Sequence, residues 1–234
     1  MACGGNGAEE ESEGEGPRLI VHHPATTIMA KRKSLYSVHP GVAMIQKWVA
    51  ELKQKTDRSL DEWIKHLNKE GPDTQAERRV WLKAVHKMGT NTAWWLAERS
   101  LGKAGTWDDS PEAYLKQAEV FVQTMFAGKK AGLTPIYDAL LKLGLGIAKD
   151  VKACPCQTIV PLYRNHVIAQ IKPTTNTRID MGFALKDTKP TGRLIDTGGF
   201  AKKDRITHRI PIASIDAIDD EVKRWLKAAY DMDA

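Results

Sequence analysis

Cysteines are scarce in this chain of 234 residues, and long hydrophobic runs are missing. Three cysteines cannot form the disulfide framework of a small secreted domain, so the composition fits a reducing cytoplasm. No segment approaches the roughly 18 consecutive apolar residues of a membrane span, and a secretory signal is also missing. We therefore expect a cytoplasmic protein that has no membrane partner.

Positive charge is in excess, but it is distributed unevenly. The chain has 35 Lys and Arg against 29 Asp and Glu, a formal net charge of +6. Residues 1–17 contain five Glu and no basic residue, whereas residues 151–210 contain 11 basic residues against four acidic ones. A local excess of basic residues favours acidic partners such as nucleic acid. We therefore expect a binding site within residues 151–210.

The N-terminal segment, residues 1–37, is predicted to be a disordered tail. Its first 17 residues are mostly Gly and Glu, and such a composition cannot offset the entropy lost on ordering. Lys31-Arg32-Lys33 fits either a basic arm that binds nucleic acid or plain solubilising charge. Met29 is also a candidate start of translation, which would make residues 1–28 upstream sequence.

Residues 38–103 are predicted to form a small helical bundle. Apolar residues recur at steps of three and four from Val42 to Leu52, as on one face of an amphipathic helix. Ser59 is typical of the residue that caps the start of a second helix, and Asp73 or Thr74 would cap a third. A short turn that contains Gly, residues 87–91, leads to a fourth helix.

The turn between the third and fourth helices is a secondary candidate for phosphate binding. Backbone N–H groups at the start of a helix attract anions, and basic side chains are close in the sequence. Consecutive residues point about 100° apart on a helix, so one of two adjacent tryptophans is expected to offer a surface for stacking or for a protein partner. The alternative is an ordinary corner of a helical bundle. The residues of this secondary site are Lys83, Lys87, Thr90, Asn91, Trp94 and Trp95.

Residues 104–110 are interpreted as a polar linker, and residues 111–234 as an α+β domain. Two amphipathic helices come first, beginning after Ser110 and ending at Gly144. After Asp150 the hydrophobic period changes to two, which indicates strands, and a helix from Ser214 to Tyr230 closes the chain. Consecutive strands between terminal helices are typical of an antiparallel sheet covered by helices. The predicted fold class is therefore α+β, with an N-terminal helical bundle and a C-terminal antiparallel sheet.

Several motifs resemble families of unknown function. Val38-His39-Pro40, Ser59-Leu60-Asp61-Glu62-Trp63, Gly71-Pro72 and residues 82–93 resemble a bacterial family of short helical domains. Residues 158–165, 169–173, 207–210 and 218–221 resemble a second family, which is sometimes labelled a predicted transport protein. The two resemblances imply a bacterial-type two-module protein without established chemistry. Because the second domain also occurs beside nuclease-like domains, its resemblance favours nucleic acid as a partner.

The main candidate site lies on the predicted sheet. In the register that keeps the apolar residues of two neighbouring strands on one face, Lys172 lies opposite Arg178, and Gln170 lies opposite Asp180. Like charges on directly opposite residues destabilise a sheet, so a sheet that keeps them there would use the pair to hold an anion. In the alternative interpretation both basic side chains extend into water and Asp180 screens them.

The loop of residues 198–205 adds glycines and three basic residues. Glycine lets the backbone approach a phosphate closely, although the spacing is not that of a nucleotide-binding P-loop. A solvated basic hairpin loop is the alternative. Together with residues of the strands, this loop would form one basic surface that binds an anion or nucleic acid. The predicted members of this surface are Lys152, Arg164, Gln170, Lys172, Arg178, Asp180, Lys202, Lys203 and Arg205.

The sequence predicts neither a metal, nor a cofactor, nor a catalytic residue. Cys154 and Cys156 with His166 and His208 could supply four zinc ligands, but their spacing is unlike that of zinc sites. No nucleophile elbow or triad spacing is found. The role of the two cysteines stays open.

Three functions are compatible with these observations. The first is a non-enzymatic protein that binds nucleic acid or another phosphate-rich ligand through the basic sheet surface, with affinity that falls steeply with salt. The second is a protein–protein adaptor that uses Trp94 or Trp95 as an anchor. The third is an enzyme acting on a small anionic substrate, with Asp180, His166 or Cys156 in acid–base or nucleophilic roles. A concave pocket gathering His166, Gln170, Asp180 and Lys172 would favour the third.

Overall fold

The computed structural model describes residues 34–102 and 110–234. The predictions for residues 1–33, including Met29 and the basic triplet at 31–33, and for the linker residues 104–109 lie outside the described part of the chain. Within the described part, no helix is long and apolar enough to cross a membrane.

Four helices come first: α1 (Pro40–Thr56), α2 (Leu60–Glu70), α3 (Gln75–Ala84) and α4 (Thr90–Ser100). Ser59 and Thr74 cap α2 and α3, because the side chain of each accepts the backbone N–H of the Glu three residues later. The side chain of that Glu accepts the backbone N–H of the capping residue. The apolar faces of all four helices meet in one core, which contains Trp63, Leu67, Leu82 and Leu96.

The second half begins with α5 (Pro111–Met125), a 3₁₀ turn at Gly128–Leu133 and α6 (Thr134–Gly146). Six strands follow: β1 (Lys152–Ala153), β2 (Val160–Tyr163), β3 (Val167–Pro173), β4 (Ile179–Phe183), β5 (Ile195–Asp196) and β6 (His208–Ile212). The predicted closing helix is divided into a 3₁₀ turn at Ile215–Ala217 and α7 (Asp220–Asp231), which Asp219 caps.

The strands form one antiparallel sheet in the order β1-β2-β3-β4-β6-β5. Alternate residues such as Leu162, Ile171, Met181 and Ile210 are fully buried in a single cluster with the apolar faces of α6 and α7. Their neighbours along each strand therefore point to the opposite face of the sheet. The α+β fold class predicted from the sequence is confirmed.

The predicted register between β3 and β4 is wrong. Lys172 lies opposite Asp180, Gln170 lies opposite Gly182, and Arg178 lies just before β4. The strands are shifted by two residues because Pro173 belongs to β3 and the connecting loop begins at Thr174. No two residues of like charge lie opposite each other on β3 and β4. The argument that repulsion between Lys172 and Arg178 marks an anion site therefore does not hold.

The segment before α1 contacts the sheet half of the molecule. Ser37 donates its backbone N–H to the carbonyl of Ala153 at 2.9 Å, next to β1. The Tyr36 and Tyr137 hydroxyls lie 2.9 Å apart. His39, the capping residue of α1, reaches Tyr163 on β2. The division into a helical and an α+β module stays a prediction.

Candidate anion-binding cleft

The sheet face opposite α6 and α7 carries a cleft of about 610 Å³. We call it the open-face cleft. It is lined by the outward residues of β2, β3, β4 and β6 together with His39, Cys156 and part of the segment before β6. Its polar lining residues include His39, Tyr163, Gln170, Lys172, Asp180, Arg205 and Arg209. This volume is in the range of small-molecule binding sites.

Gly182 forms the middle of the floor of the cleft. A Cβ atom at this position would come within 2.7 Å of the Ile206 side chain and within 2.9 Å of Gln170. Glycine is therefore needed for these two side chains to pack over the centre of the sheet. Gly182 lies opposite Gln170 on β3 and opposite Arg209 on β6, so it places no side chain between these two residues.

Asp180 is a buried carboxylate that organises one end of the cleft. It is 7% exposed, and its Oδ2 accepts from Arg209 Nη1 at 2.7 Å and from the Thr174 hydroxyl at 2.9 Å. Arg178 Nε lies 3.0 Å from the other carboxylate oxygen. The two arginine side chains are about one-third exposed, so each guanidinium is held by Asp180 and still reaches solvent.

Lys172 adds an exposed cation beside this cluster. It is the cross-strand partner of Asp180 and lines the open-face cleft. In residues 34–102 and 110–234 no carboxylate lies within ion-pair distance of its ammonium group. Two guanidiniums therefore pair with a single carboxylate, and the ammonium of its cross-strand neighbour adds to a local excess of positive charge. We call Lys172, Arg178, Asp180 and Arg209 the cationic end of the cleft.

His39, Tyr163 and Cys156 line the other end of the cleft. The Tyr163 hydroxyl lies 3.0 Å from His39 Nε2, and the two rings meet edge to face. Burial raises the pKa of Tyr163 to about 12 and that of the Cys156 thiol to about 11. Burial also lowers the pKa of His39 below its ordinary value of 6.5. All three groups are therefore neutral near pH 7.

The predicted basic surface is only partly assembled. Gln170, Lys172, Asp180 and Arg205 line the open-face cleft, with Arg178 against Asp180. Arg164 instead binds Asp150 and the carbonyl of Tyr230, and lies over the Tyr230 ring. The remaining members, Lys152 on β1 and Lys202 and Lys203 in the turn before β6, are exposed and do not line this cleft.

Arg205 connects the cleft to a neighbouring cavity. Its Nε donates to the carbonyl of Val167 at 2.8 Å, and its Nη2 forms an ion pair with Asp233. Together with Lys203 and Phe200 it also lines a second cavity of about 530 Å³. The loop of residues 198–205 thus contributes one basic residue, Arg205, rather than three to the open-face cleft, together with the acidic residue Asp204.

The secondary site at the helical turn is separate from the cleft. Lys83, Thr90 and Asn91 are exposed, and Lys87 donates to the carbonyl of Ala84 at the end of α3. Trp94 is 44% exposed, whereas Trp95 is 4% exposed and belongs to the helical core. The prediction that one tryptophan lies at the surface holds for Trp94. The use of Trp95 as a surface anchor is wrong.

His166 and Cys154 do not line the cleft that contains Asp180, whereas Cys156 lines its other end. The His166 Nδ1 atom lies 3.0 Å from the buried carboxylate of Asp233, outside the open-face cleft. His208 is buried on β6 beside Thr207, and Cys154 is buried near Val38. In the described residues, no three His, Cys, Asp or Glu side chains are grouped as metal ligands. The gathering of His166, Gln170, Asp180 and Lys172 that would favour an enzyme is therefore incomplete.

Three residues of the site were missed in the sequence. His39 has the position of a helix cap, and only the fold brings it to the sheet. Tyr163 ends β2, and no motif in the sequence marks it as a site residue. Arg209 had a detectable signal, because it alternates with buried residues on β6 and therefore has to lie on the face opposite the core.

Comparison with known proteins gives one family for the second half of the chain. Residues 122–233 match the family described as Domain of unknown function (DUF5655). The matched region contains the whole sheet and α7, so the similarity to a domain of unknown function is confirmed for this part. No curated protein and no solved structure matches the chain. The resemblance of residues 38–103 and the two-module pairing stay predictions.

Proposed function

We propose that this protein binds a phosphate-bearing ligand in the open-face cleft. The observation that carries the proposal is the cationic end, where Arg178 and Arg209 pair with the buried carboxylate of Asp180 and Lys172 is its cross-strand neighbour. Guanidinium groups held in place by a carboxylate lose little conformational freedom when they bind an anion. Asp180 thus has a positioning role, and Lys172 supplies charge that is not neutralised.

Nucleic acid is the phosphate-rich ligand with which the proposal can be tested first. We expect a fluorescently labelled single-stranded 20-nucleotide DNA to bind at about 50 mM salt and to dissociate at about 200 mM, as measured by fluorescence anisotropy. The combined variant Lys172→Ala and Arg209→Gln should weaken binding at low salt. It should also reduce the slope of log affinity against log salt by about 1.4, since each phosphate contact on a single strand contributes about 0.7.

The control is a pair of exposed lysines outside the cleft. Lys65→Ala with Lys142→Ala removes the same charge from helices α2 and α6, and it should leave the affinity nearly unchanged. Circular dichroism would establish that both double variants are folded. The proposal is wrong if the wild-type protein does not bind at low salt, or if both double variants lose affinity equally.

A cytoplasmic location is part of the same proposal. It is supported by the scarcity of cysteine and by the two described cysteines, Cys154 and Cys156, which are both free thiols.

A further inference from the structure

The hydrogen bonds of His39 determine where the proton of Tyr163 points. His39 Nδ1 accepts the backbone N–H of Gly41 at 2.9 Å, as the cap of α1. In the neutral ring the proton therefore has to be on Nε2, because a nitrogen that accepts cannot also carry the proton. Nε2 lies 3.0 Å from the Tyr163 hydroxyl and donates to it. The tyrosine oxygen is thus an acceptor in this bond.

The Tyr163 hydroxyl still has its own proton to donate. In the described residues, His39 is the one hydrogen-bond partner found for this hydroxyl. Tyr163 lines the open-face cleft, and its raised pKa keeps it protonated at neutral pH. The hydroxyl is therefore a hydrogen-bond donor available to a ligand in the cleft.

The register of the strands places Tyr163 and Lys172 at different ends of the cleft. Pro161 on β2 lies opposite Gln170 on β3. Tyr163 is two residues further along β2 and Lys172 two residues further along β3. Because the strands are antiparallel, these steps run in opposite directions, and four residues at about 3.4 Å each separate the Cα atoms of Tyr163 and Lys172 by about 14 Å along the strands. A register shift between Leu162 and Tyr163 gives Tyr163 the partner Val167 on β3.

Apolar side chains also line the cleft. Ile159, Pro161, Val167 and Ile206 all line the cleft. A ligand that fills it therefore needs an anionic group at one end, a flat or apolar body, and a hydrogen-bond acceptor at the other end. Nucleotides combine these features, because a base has apolar faces and carbonyl or ring-nitrogen acceptors at its edge.

We propose that the open-face cleft is a nucleotide site in which Lys172 and Arg209 bind the phosphate and the Tyr163 hydroxyl donates to the base. This inference rests on the proposed function and deepens it. The nucleotide is either free or one unit of a nucleic-acid strand, since both present the same groups.

The test compares Tyr163→Phe with the wild-type protein by isothermal titration calorimetry. The probes are inorganic phosphate, each of the four ribonucleoside monophosphates and a single-stranded oligonucleotide. We expect at least one nucleotide, free or in the strand, to bind at least tenfold more tightly than inorganic phosphate. Tyr163→Phe should weaken that nucleotide about five- to tenfold and leave inorganic phosphate unchanged. The control is Tyr230→Phe, which removes a hydroxyl bound to Asp150 outside the cleft, and it should change neither affinity.

The outcomes distinguish this inference from the proposed function. If the wild-type protein binds none of the probes, the proposed function fails and the inference fails with it. If phosphate binds but no nucleotide binds more tightly, the cleft is an anion site and the nucleotide inference is overturned. Equal weakening of phosphate and nucleotide by Tyr163→Phe also overturns it, because Tyr163 would then have a structural role. If Tyr163→Phe selectively weakens binding of a free nucleotide, the cleft is a small-molecule site. If it selectively weakens only binding of the oligonucleotide, the ligand is a nucleic-acid strand.

Discussion

At the scale of single residues, Asp233 holds the turn between β2 and β3. Its carboxylate accepts the backbone N–H groups of Asn165 and His166, both at 2.9 Å, and pairs with Arg205. Burial opposes ionisation of this carboxyl, but the hydrogen bonds and the neighbouring guanidinium outweigh it and hold the pKa of Asp233 below 3.8. The ionised form is therefore the one that stabilises the folded state.

This carboxyl predicts a pH-dependent difference in stability. We expect Asp233→Asn to lower the free energy of unfolding at pH 7 by about 1–3 kcal/mol, because the two backbone N–H groups and Arg205 lose a charged, buried acceptor. In the unfolded chain Asp233 takes up a proton near pH 3.8, whereas in the folded protein it does so at a lower pH. The contribution is thus present above pH 3.8 and is lost as the pH falls through the folded-state pKa.

Urea denaturation at several pH values measures this contribution. The difference in the free energy of unfolding between wild type and Asp233→Asn should be largest near neutral pH and should become smaller below pH 3.8. Asp187→Asn, at an exposed position after β4, is the control and should show no such difference. A difference that stays constant down to pH 2 would contradict the assignment.

At the scale of elements, α6 approaches β2 closely through a glycine. A Cβ atom at Gly144 would overlap Cδ1 of Leu162, which is fully buried on β2. We expect Gly144→Ala to lower the free energy of unfolding by about 1–3 kcal/mol through overpacking. Gly146→Ala is the matched control, because no atom lies within 4 Å of the added Cβ. It should be neutral or stabilising by up to about 1 kcal/mol, and an equal loss in both variants, measured by thermal unfolding, would contradict the packing argument.

Elements were predictable from the sequence, but their register was not. Capping residues such as Ser59 and Thr74 and the change of period after Asp150 mark the helices and strands locally. The shift between β3 and β4 is two residues, and side chains alternate with a period of two, so both registers place the same residues on the core face. Only the length of the loop after Pro173 decides between them. The cleft could be predicted only in part for the same reason. Alternation along a strand shows which residues lie on the face opposite the core, but it does not show which residues are cross-strand partners.

At the scale of the whole molecule, two hydrophobic cores are connected by a small third cluster. Val42 on α1 packs with Tyr114 and Ala118 on α5. The Tyr114 hydroxyl donates to the carbonyl of Pro155 at 2.8 Å, close to the sheet. This cluster therefore couples the core of α1–α4 to the core below the sheet.

The coupling can be measured by unfolding with two probes. Of the six tryptophans in the described residues, all but Trp225 lie in α1–α4, so tryptophan fluorescence reports mainly on that core, whereas circular dichroism reports on the whole chain. We expect coincident urea transitions for the wild-type protein and separated transitions for Val42→Asn, which buries an amide without a partner. Val80→Asn, at a position that is 68% exposed, should leave them coincident. Separated transitions in the wild-type protein would contradict the coupling.

The bond between His39 and Tyr163 has a consequence for how this protein changes during evolution. One partner starts a helix near the beginning of the described chain, and the other lies on the sheet 124 residues later. A substitution at either position leaves the other without its partner. Positions 39 and 163 should therefore vary together among related sequences, and a recombinant that joins the helices of one relative to the sheet of another should keep its function only when this pair matches.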